Sequence, residues 1–289
     1  MTGQPLQSKR AGRLVVIDGA HKRPRAGEVH LVGAGPGDPE LLTVKALRLL
    51  GEADVVVHDR LTPQPILDLA GPNARLIDVG KRKSRHTLPQ DDINRLLVAL
   101  ALDGQTVVRL KGGDPFLFGR GGEELQACRA AGVVCHVVPG VSAGLAAGAA
   151  AGAPLTHRGL AQAVTFVTGH AASGGEPNLD WAALSKANQT VVVYMGLTTA
   201  ATIAARLIEA GRNGSTPVAV VEGASLDGER RIVTTLSGLS DAVAGLDGPA
   251  ILIIGEVAAL AETLSPPVQR GEGTFVLPLP RKSGRGENR

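Results

Sequence analysis

The chain alternates between short apolar runs, most of them rich in valine, and longer segments whose apolar positions recur every three or four residues. Apolar runs near 28–33, 54–58, 75–79, 106–110 and 133–138 predict strands, and helical spacing occupies 39–51, 64–70, 90–103 and 121–131. Strand and helix in alternation predict a parallel sheet covered on both faces. The pattern changes character after Pro139. Residues 141–151 read as a helix, and "PLTHRGLAQ" reads as a loop. A second set follows, with strands near 163–168, 190–195, 217–222, 230–235 and 249–254. Helices near 180–187, 198–210, 237–245 and 256–263 separate most of them. In "GERRIVTTLSGL" the alternation predicts an antiparallel pair with the preceding strand. The fold class is therefore α/β: two α/β domains with a cleft between them. The expected division is a basic, disordered tail over 1–27, an N-terminal domain over 28–140, a C-terminal domain over 141–264 and a second disordered tail over 265–289.

Composition supports this division. The 289 residues are 44% hydrophobic and 20% charged, as expected of globular domains. The net charge of +3 comes partly from the ends, which carry Lys9, Arg10, Arg13, Arg281, Lys282 and Arg289. Basic ends suit nucleic acid, a membrane surface or plain solvation. Aromatic residues make up only 2% of the chain, too few to stack bases, so no nucleic-acid partner is expected. Cys128 and Cys135 do not form a CxxC pair and read as reduced thiols of a cytoplasmic protein. The N-terminus lacks the apolar core of a signal peptide. The small-residue run "VSAGLAAGAAAGAPL" at 141–155 is too short for a bilayer, so no membrane partner is expected. The seven histidines are scattered, without an HExxH or paired-cysteine motif, and no metal is expected.

Three glycine-rich loops follow predicted strands. The first, "VGAGPGDPELLT" at 32–43, resembles a dinucleotide turn but carries Pro36 and Asp38. Proline removes a backbone donor and Asp38 would repel a pyrophosphate. Either the loop is a tight turn with Asp38 or Thr43 capping the next helix, or it meets a ligand with a positive centre. The second, "VVRLKGGDPFLFGRGGEE" at 107–124, is delivered at the carboxyl end of a strand, where open α/β sheets bind ligands. Gly112 and Gly113 remove side chains where something comes close. Asp114 either bonds a ribose or cation or forms a turn with Pro115. Phe116 and Phe118 are expected to brace the loop from within. Arg120 suits a carboxylate, with an internal salt bridge to Glu123 as the alternative. In the third loop, "VVPGVSAGLAAG" at 137–148, Ser142 reads as a helix N-cap beside a possible ligand site.

Single residues add candidates. Asp59, just beyond the second strand, is either a base or a cap of the next turn. Lys81, in the cationic run "DVGKRKSRH", either faces solvent or points into the same crevice. His157 and Arg158 lie in the loop after the small-residue helix. Together these describe a cationic cleft without metal, suited to a small anionic substrate and a nucleoside-containing cofactor.

In order along the chain stand "VHLVGAGPGDPELLTVKALRLLGEADVVVHDRL", "VGKR", "VVRLKGGDPFLFGRGGEE", "VVPGVSAG", "GAPLTHRGLAQAVTFVTGH", "VVVYMG" and "PAILIIGEV". This series closely resembles the uroporphyrinogen-III C-methyltransferases, within the tetrapyrrole (class III) methylase family, over roughly residues 28–262. The resemblance implies the tetrapyrrole methylase fold as a cytoplasmic homodimer. It implies S-adenosylmethionine as methyl donor, leaving S-adenosylhomocysteine, and methylation of uroporphyrinogen III at C2 and C7. Precorrin-2 would form through precorrin-1, for sirohaem, cobalamin or haem d1. By motif match, cofactor contacts fall on Pro36, Gly112, Gly113, Asp114, Leu117, Ser142, Ala143, Met195 and Ala224, the last where the family often has glycine. Asp59 maps as proton acceptor and Lys81 as proton donor. Arg120, Glu123 and Arg158 map to substrate contacts, with Arg120 a competing catalytic candidate.

Overall fold

The computed structural model describes residues 27–80, 88–171 and 176–261. Lys81, nearly all of the first predicted tail and the whole of the second lie outside the described residues. The chain divides into two compact units between Ala143 and Gly144.

Unit 1 is built on five parallel strands, β1 (Glu28–Gly33), β2 (Val55–His58), β3 (Arg75–Asp78), β4 (Thr106–Lys111) and β5 (Val134–Val138). Their spatial order is β3-β2-β4-β1-β5. Successive strand residues point to opposite faces, and both faces are apolar. Val29, Leu31, Val55, Val57 and Val107 pack with Ile93 and Leu97 of α3 (Gln90–Leu102) and Cys128 of α4 (Gly121–Ala130). Val32, Val56, Val108 and Leu110 pack with Ala46 and Leu50 of α1 (Val44–Glu52) and Ile66 of α2 (Gln64–Leu67). The predicted helix over 39–51 is two pieces. The Asp38 carboxylate accepts from Glu40 N (2.9 Å) and caps a 3-10 turn at Pro39–Leu41. Thr43 Oγ1 then accepts from Ala46 N (3.1 Å) and starts α1 afresh.

Unit 2 takes in nearly all of α5 (Ala143–Ala151), then β6 (Ala163–Thr168), α6 (Trp181–Leu184), β7 (Gln189–Tyr194), α7 (Ala200–Glu209), β8 (Pro217–Glu222), β9 (Arg230–Thr235), α8 (Leu239–Ala242) and β10 (Ala250–Ile254). The sheet order is β6-β7-β10-β8-β9. Only β6 and β7 are parallel; β10 runs antiparallel to both neighbours, and β9 antiparallel to β8. Sequence order gives no hint that the last strand fills the middle. Composition explains it: β10, AILII, is buried at every position, whereas β9, RRIVTT, has exposed ends and lies at an edge. The small residues of α5 admit close approach. A Cβ on Gly144 would fall 2.5 Å from Tyr194 Oη, and Gly144 N donates to that oxygen at 2.8 Å. Trp181 packs against the core beneath β7 and β10. No helix among the described residues is long and apolar enough to cross a membrane.

Candidate active site

At the carboxyl end of the unit 1 sheet, the loops after β1, β4 and β5 pack backbone against backbone. A Cβ on Gly33 would lie 2.5 Å from Gly140 N, and one on Gly140 would lie 2.3 Å from the Gly113 carbonyl oxygen. Gly35 and Gly113 exchange two hydrogen bonds (3.2 and 2.7 Å), and Ala34 N donates to Lys111 O at 2.7 Å. The glycines are thus required by contact between loops before any ligand is considered. These bonds occupy the N–H groups of Ala34, Gly35 and Gly113, and Pro36 has none to offer a phosphate. Asp114 locks the arrangement: Oδ1 accepts from Phe116 N (2.8 Å) and Oδ2 from Gly140 N (3.1 Å). Gly113, with φ of 69°, faces Ala143 N at 3.6 Å from its would-be Cβ and Ser142 Cα at 3.9 Å. The structure therefore brings the Pro36 loop, Gly112, Gly113, Asp114, Ser142 and Ala143 together.

Beneath this surface lies a charged cluster that the sequence reading missed. Arg109 and Lys111 share the face of β4 that Val107 presents to α3 and α4. They are 3% and 4% exposed, and Glu124 of α4 is fully buried. Glu124 Oε1 receives Arg109 Nε (3.0 Å), Lys111 Nζ (3.1 Å) and Gln90 Nε2 (3.3 Å). The Arg109 guanidinium also donates to Val57 O (3.4 Å) and Leu110 O (3.1 Å). Its far nitrogen stands 3.6 Å from Asp59 Oδ2. Burial and the Arg109 charge push the Lys111 ammonium below its ordinary value, against the pull of Glu124. Asp59 is partly exposed at the end of β2, and its Oδ1 accepts from Leu61 N at 3.0 Å. The available signal was two cations inside an apolar strand, followed by an acidic pair at the next helix start.

One residue before Glu124, the surroundings are open. Arg120 and Glu123 form an exposed bidentate pair, Nε to Oε1 at 2.8 Å and Nη2 to Oε2 at 2.7 Å. The hydrogen bond from Arg120 holds the Glu123 carboxyl below its ordinary range. Phe116 and Phe118 do not brace the loop from within, as the sequence suggested: they are 56% and 39% exposed. Phe118 and Arg120 both adopt left-handed backbone, φ 55° and 59°. The interior is filled instead by buried Pro115, whose carbonyl receives Gly121 N at 3.0 Å, and by the Lys111 stem beside Gly119. Leu117 is half-buried between them.

In unit 2, Met195 follows β7 with left-handed φ of 54° and an exposed side chain. Ala224 is buried after β8, next to Ser225 with φ of 67°, whose N–H is held by Glu229 at 2.8 Å. Of the five non-glycine residues with positive φ among the described residues, four lie in or beside predicted site segments. Each costs on the order of 1 kcal/mol or more, and such strain gathers at functional sites. Arg158 is exposed on a tight turn in which His157 and Ala161 pair and Gly159 takes φ of 85°. No cluster of metal-binding side chains occurs among the described residues.

The strand-end loops of unit 1, closed on one another through Gly35 and Gly113, place the candidate site of an α/β protein at the carboxyl end of its parallel sheet. The sequence pattern of the Tetrapyrrole (Corrin/Porphyrin) Methylases matches residues 28–240, and the chain belongs to that family. It is 52% identical over 243 residues to a siroheme synthase of Chromobacterium violaceum, covering 83% of this chain and 52% of that protein. The chain spans about half the length of the curated relatives it matches. Among solved structures it is similar to the uroporphyrin III C-methyl transferase of Thermus thermophilus, at 45% identity and a TM-score of 0.71, over 81% of this chain and all of that one. A uroporphyrin-III C-methyl transferase of Thermus thermophilus complexed with S-adenyl homocysteine matches at 44% identity and a TM-score of 0.71, over 81% of this chain and 94% of that one.

Proposed function

We propose that this chain transfers methyl groups from S-adenosylmethionine to C2 and C7 of uroporphyrinogen III, giving precorrin-2 through precorrin-1. The product would serve the synthesis of sirohaem or cobalamin. The observation that carries this reading is the match to the Thermus methyltransferase over that enzyme's whole length. The loop chemistry agrees. A sulfonium needs no phosphate nest, and Ala34 N, Gly35 N and Gly113 N of the β1 and β4 loops are already bonded to carbonyls.

The roles assigned to single residues are part of the proposal. Pro36, Gly112, Gly113, Asp114, Leu117, Ser142, Ala143, Met195 and Ala224 would hold the cofactor, which supplies an electrophilic methyl group. Arg120, Glu123 and Arg158 would bind the substrate's carboxylates and orient the ring for in-line attack by a pyrrole carbon. The Arg120–Glu123 pair does not prevent this. Exposed ion pairs are worth about 0–1 kcal/mol, so Arg120 exchanges Glu123 for a substrate carboxylate at little cost. Asp59 would take the proton released after methylation, through the carboxylate oxygen that does not accept from Leu61. Lys81 would donate a proton. The reading extends to domains over 28–140 and 141–264 and to a cytoplasmic homodimer.

The test is anaerobic incubation of the protein with S-adenosylmethionine and uroporphyrinogen III, followed by mass analysis of the tetrapyrrole. Doubly methylated product is expected; unmethylated substrate alone would overturn the reading.

A further inference from the structure

Asp59 is the first residue beyond β2, and its carboxylate is held from two sides. One side is the Leu61 N–H at 3.0 Å. The other is Arg109, which is itself unable to move. Its Nε is tied to Glu124 Oε1, its Nη1 to the Val57 and Leu110 carbonyls, and its shaft is sealed inside the sheet face. A guanidinium presents its donors in a rigid planar fork, so fixing one edge fixes the other. The edge that remains is the one aimed at Asp59 Oδ2.

Formal charge points the same way. Arg109 and Lys111 bring two buried positive charges, and Glu124 supplies one buried negative charge. The cluster is balanced only when Asp59 is counted with it. Buried charges are tolerated when they are paired, so the cluster favours a carboxylate at this place. Lys111 is 4% exposed inside the β4–α4 junction, with its Cε 3.3 Å from where a Cβ on Gly119 would lie.

We infer that Arg109, anchored by Glu124, is the positioning residue for Asp59, setting the direction from which the Asp59 carboxylate meets the substrate. This rests on the reading of Asp59 as proton acceptor. Arg109 touches neither substrate nor cofactor in this role, and acts through Asp59.

The test is a mutant cycle on the full chain with uroporphyrinogen III and S-adenosylmethionine under anaerobic conditions. Arg109→Lys keeps the charge and the anchor to Glu124, but one ammonium cannot span Glu124, Val57 and Asp59 together. It is expected to lower kcat about tenfold, with KM for the tetrapyrrole and Kd for S-adenosylhomocysteine within about twofold of wild type. Glu124→Gln, which loosens the anchor, should act in the same direction. Asp59→Asn should lower kcat further, and adding Arg109→Lys to it should produce no additional loss. Multiplying losses in the double variant would overturn the inference, as would equal loss of turnover and S-adenosylhomocysteine binding in the single ones. An active wild type with a fully active Asp59→Asn would remove its basis. An inactive wild type would instead overturn the functional reading, and the inference with it. Should Arg109→Lys fail to fold, Glu124→Gln carries the same cycle.

Discussion

Two neighbouring glutamates on α4 hold two arginines on opposite terms. Glu124 is fully buried and gathers Arg109, Lys111 and Gln90 on one oxygen. Glu123 faces solvent and holds Arg120 with better geometry, two short parallel bonds. Geometry alone would rank the exposed pair first. Burial reverses the ranking. In water the exchange of one carboxylate for another costs little, whereas a buried ion stripped of its partner has nowhere to turn. The same turn of helix thus offers a fixed internal frame and an exchangeable hand for an anionic ligand.

The contrast is broken most severely from the inside. Glu124→Ala takes the buried counterion from Lys111 and leaves Arg109 with only the more distant Asp59, and should cost about 3–5 kcal/mol of unfolding free energy in denaturant titration. A loss below 1 kcal/mol would mean that Lys111 escapes to solvent. Next comes the backbone frame over the cluster. Gly140→Ala drives a methyl group to 2.3 Å from Gly113 O and 2.8 Å from Gly33 Cα. With backbone on both sides nothing flexible can yield. A cost of about 1–3 kcal/mol is expected, together with weaker S-adenosylhomocysteine binding by calorimetry.

Arg120→Ala tests the other pole. Stability should change by less than about 1 kcal/mol, while KM for the tetrapyrrole rises and S-adenosylhomocysteine affinity holds. Equal loss of both ligands would show that Arg120 shapes the cofactor loop. The smallest effect belongs to His30, which is buried in β1, stacked on His136 at 5.3 Å and 3.2 Å from Glu28. Burial lowers its pKa below the ordinary 6.5, outweighing Glu28. The unfolded chain therefore takes up this proton first. The stabilisation is present above the unfolded value and is lost as pH falls through the folded one. Between about pH 7 and 5 the melting temperature of wild type should fall further than that of His30→Phe; parallel curves would exclude the effect.

Much of this frame was legible before any coordinates. The valine-rich runs became strands close to their expected bounds, because continuous apolar runs have few other ways to be buried. Asp38 and Thr43, weighed as caps, both cap. Strand order was not legible: nothing in hydrophobic period tells AILII to run antiparallel through the middle of its sheet. Phe116 and Phe118 misled because their direction depends on a left-handed backbone at Phe118, which residue type does not announce. Gly33 and Gly140 gave no signal of their own. Their role is contact between chain segments about a hundred residues apart, visible only once β1 and β5 are side by side. Arg109 and Lys111 could have been found by parity, since residues 107, 109 and 111 must share one face of the strand.

The contact between Gly144 and Tyr194 has a practical consequence. Tyr194 is the only tyrosine and Trp181 the only tryptophan, and both belong to unit 2. In the near ultraviolet unit 1 is therefore almost silent, with Phe116 and Phe118 as its only aromatic chromophores besides its histidines. Intrinsic fluorescence follows one half of the chain and leaves the other dark. The phenol oxygen of Tyr194 accepts from the first residue of unit 2. Its absorbance is thus a native gauge of how α5 seats on β7, readable without any label.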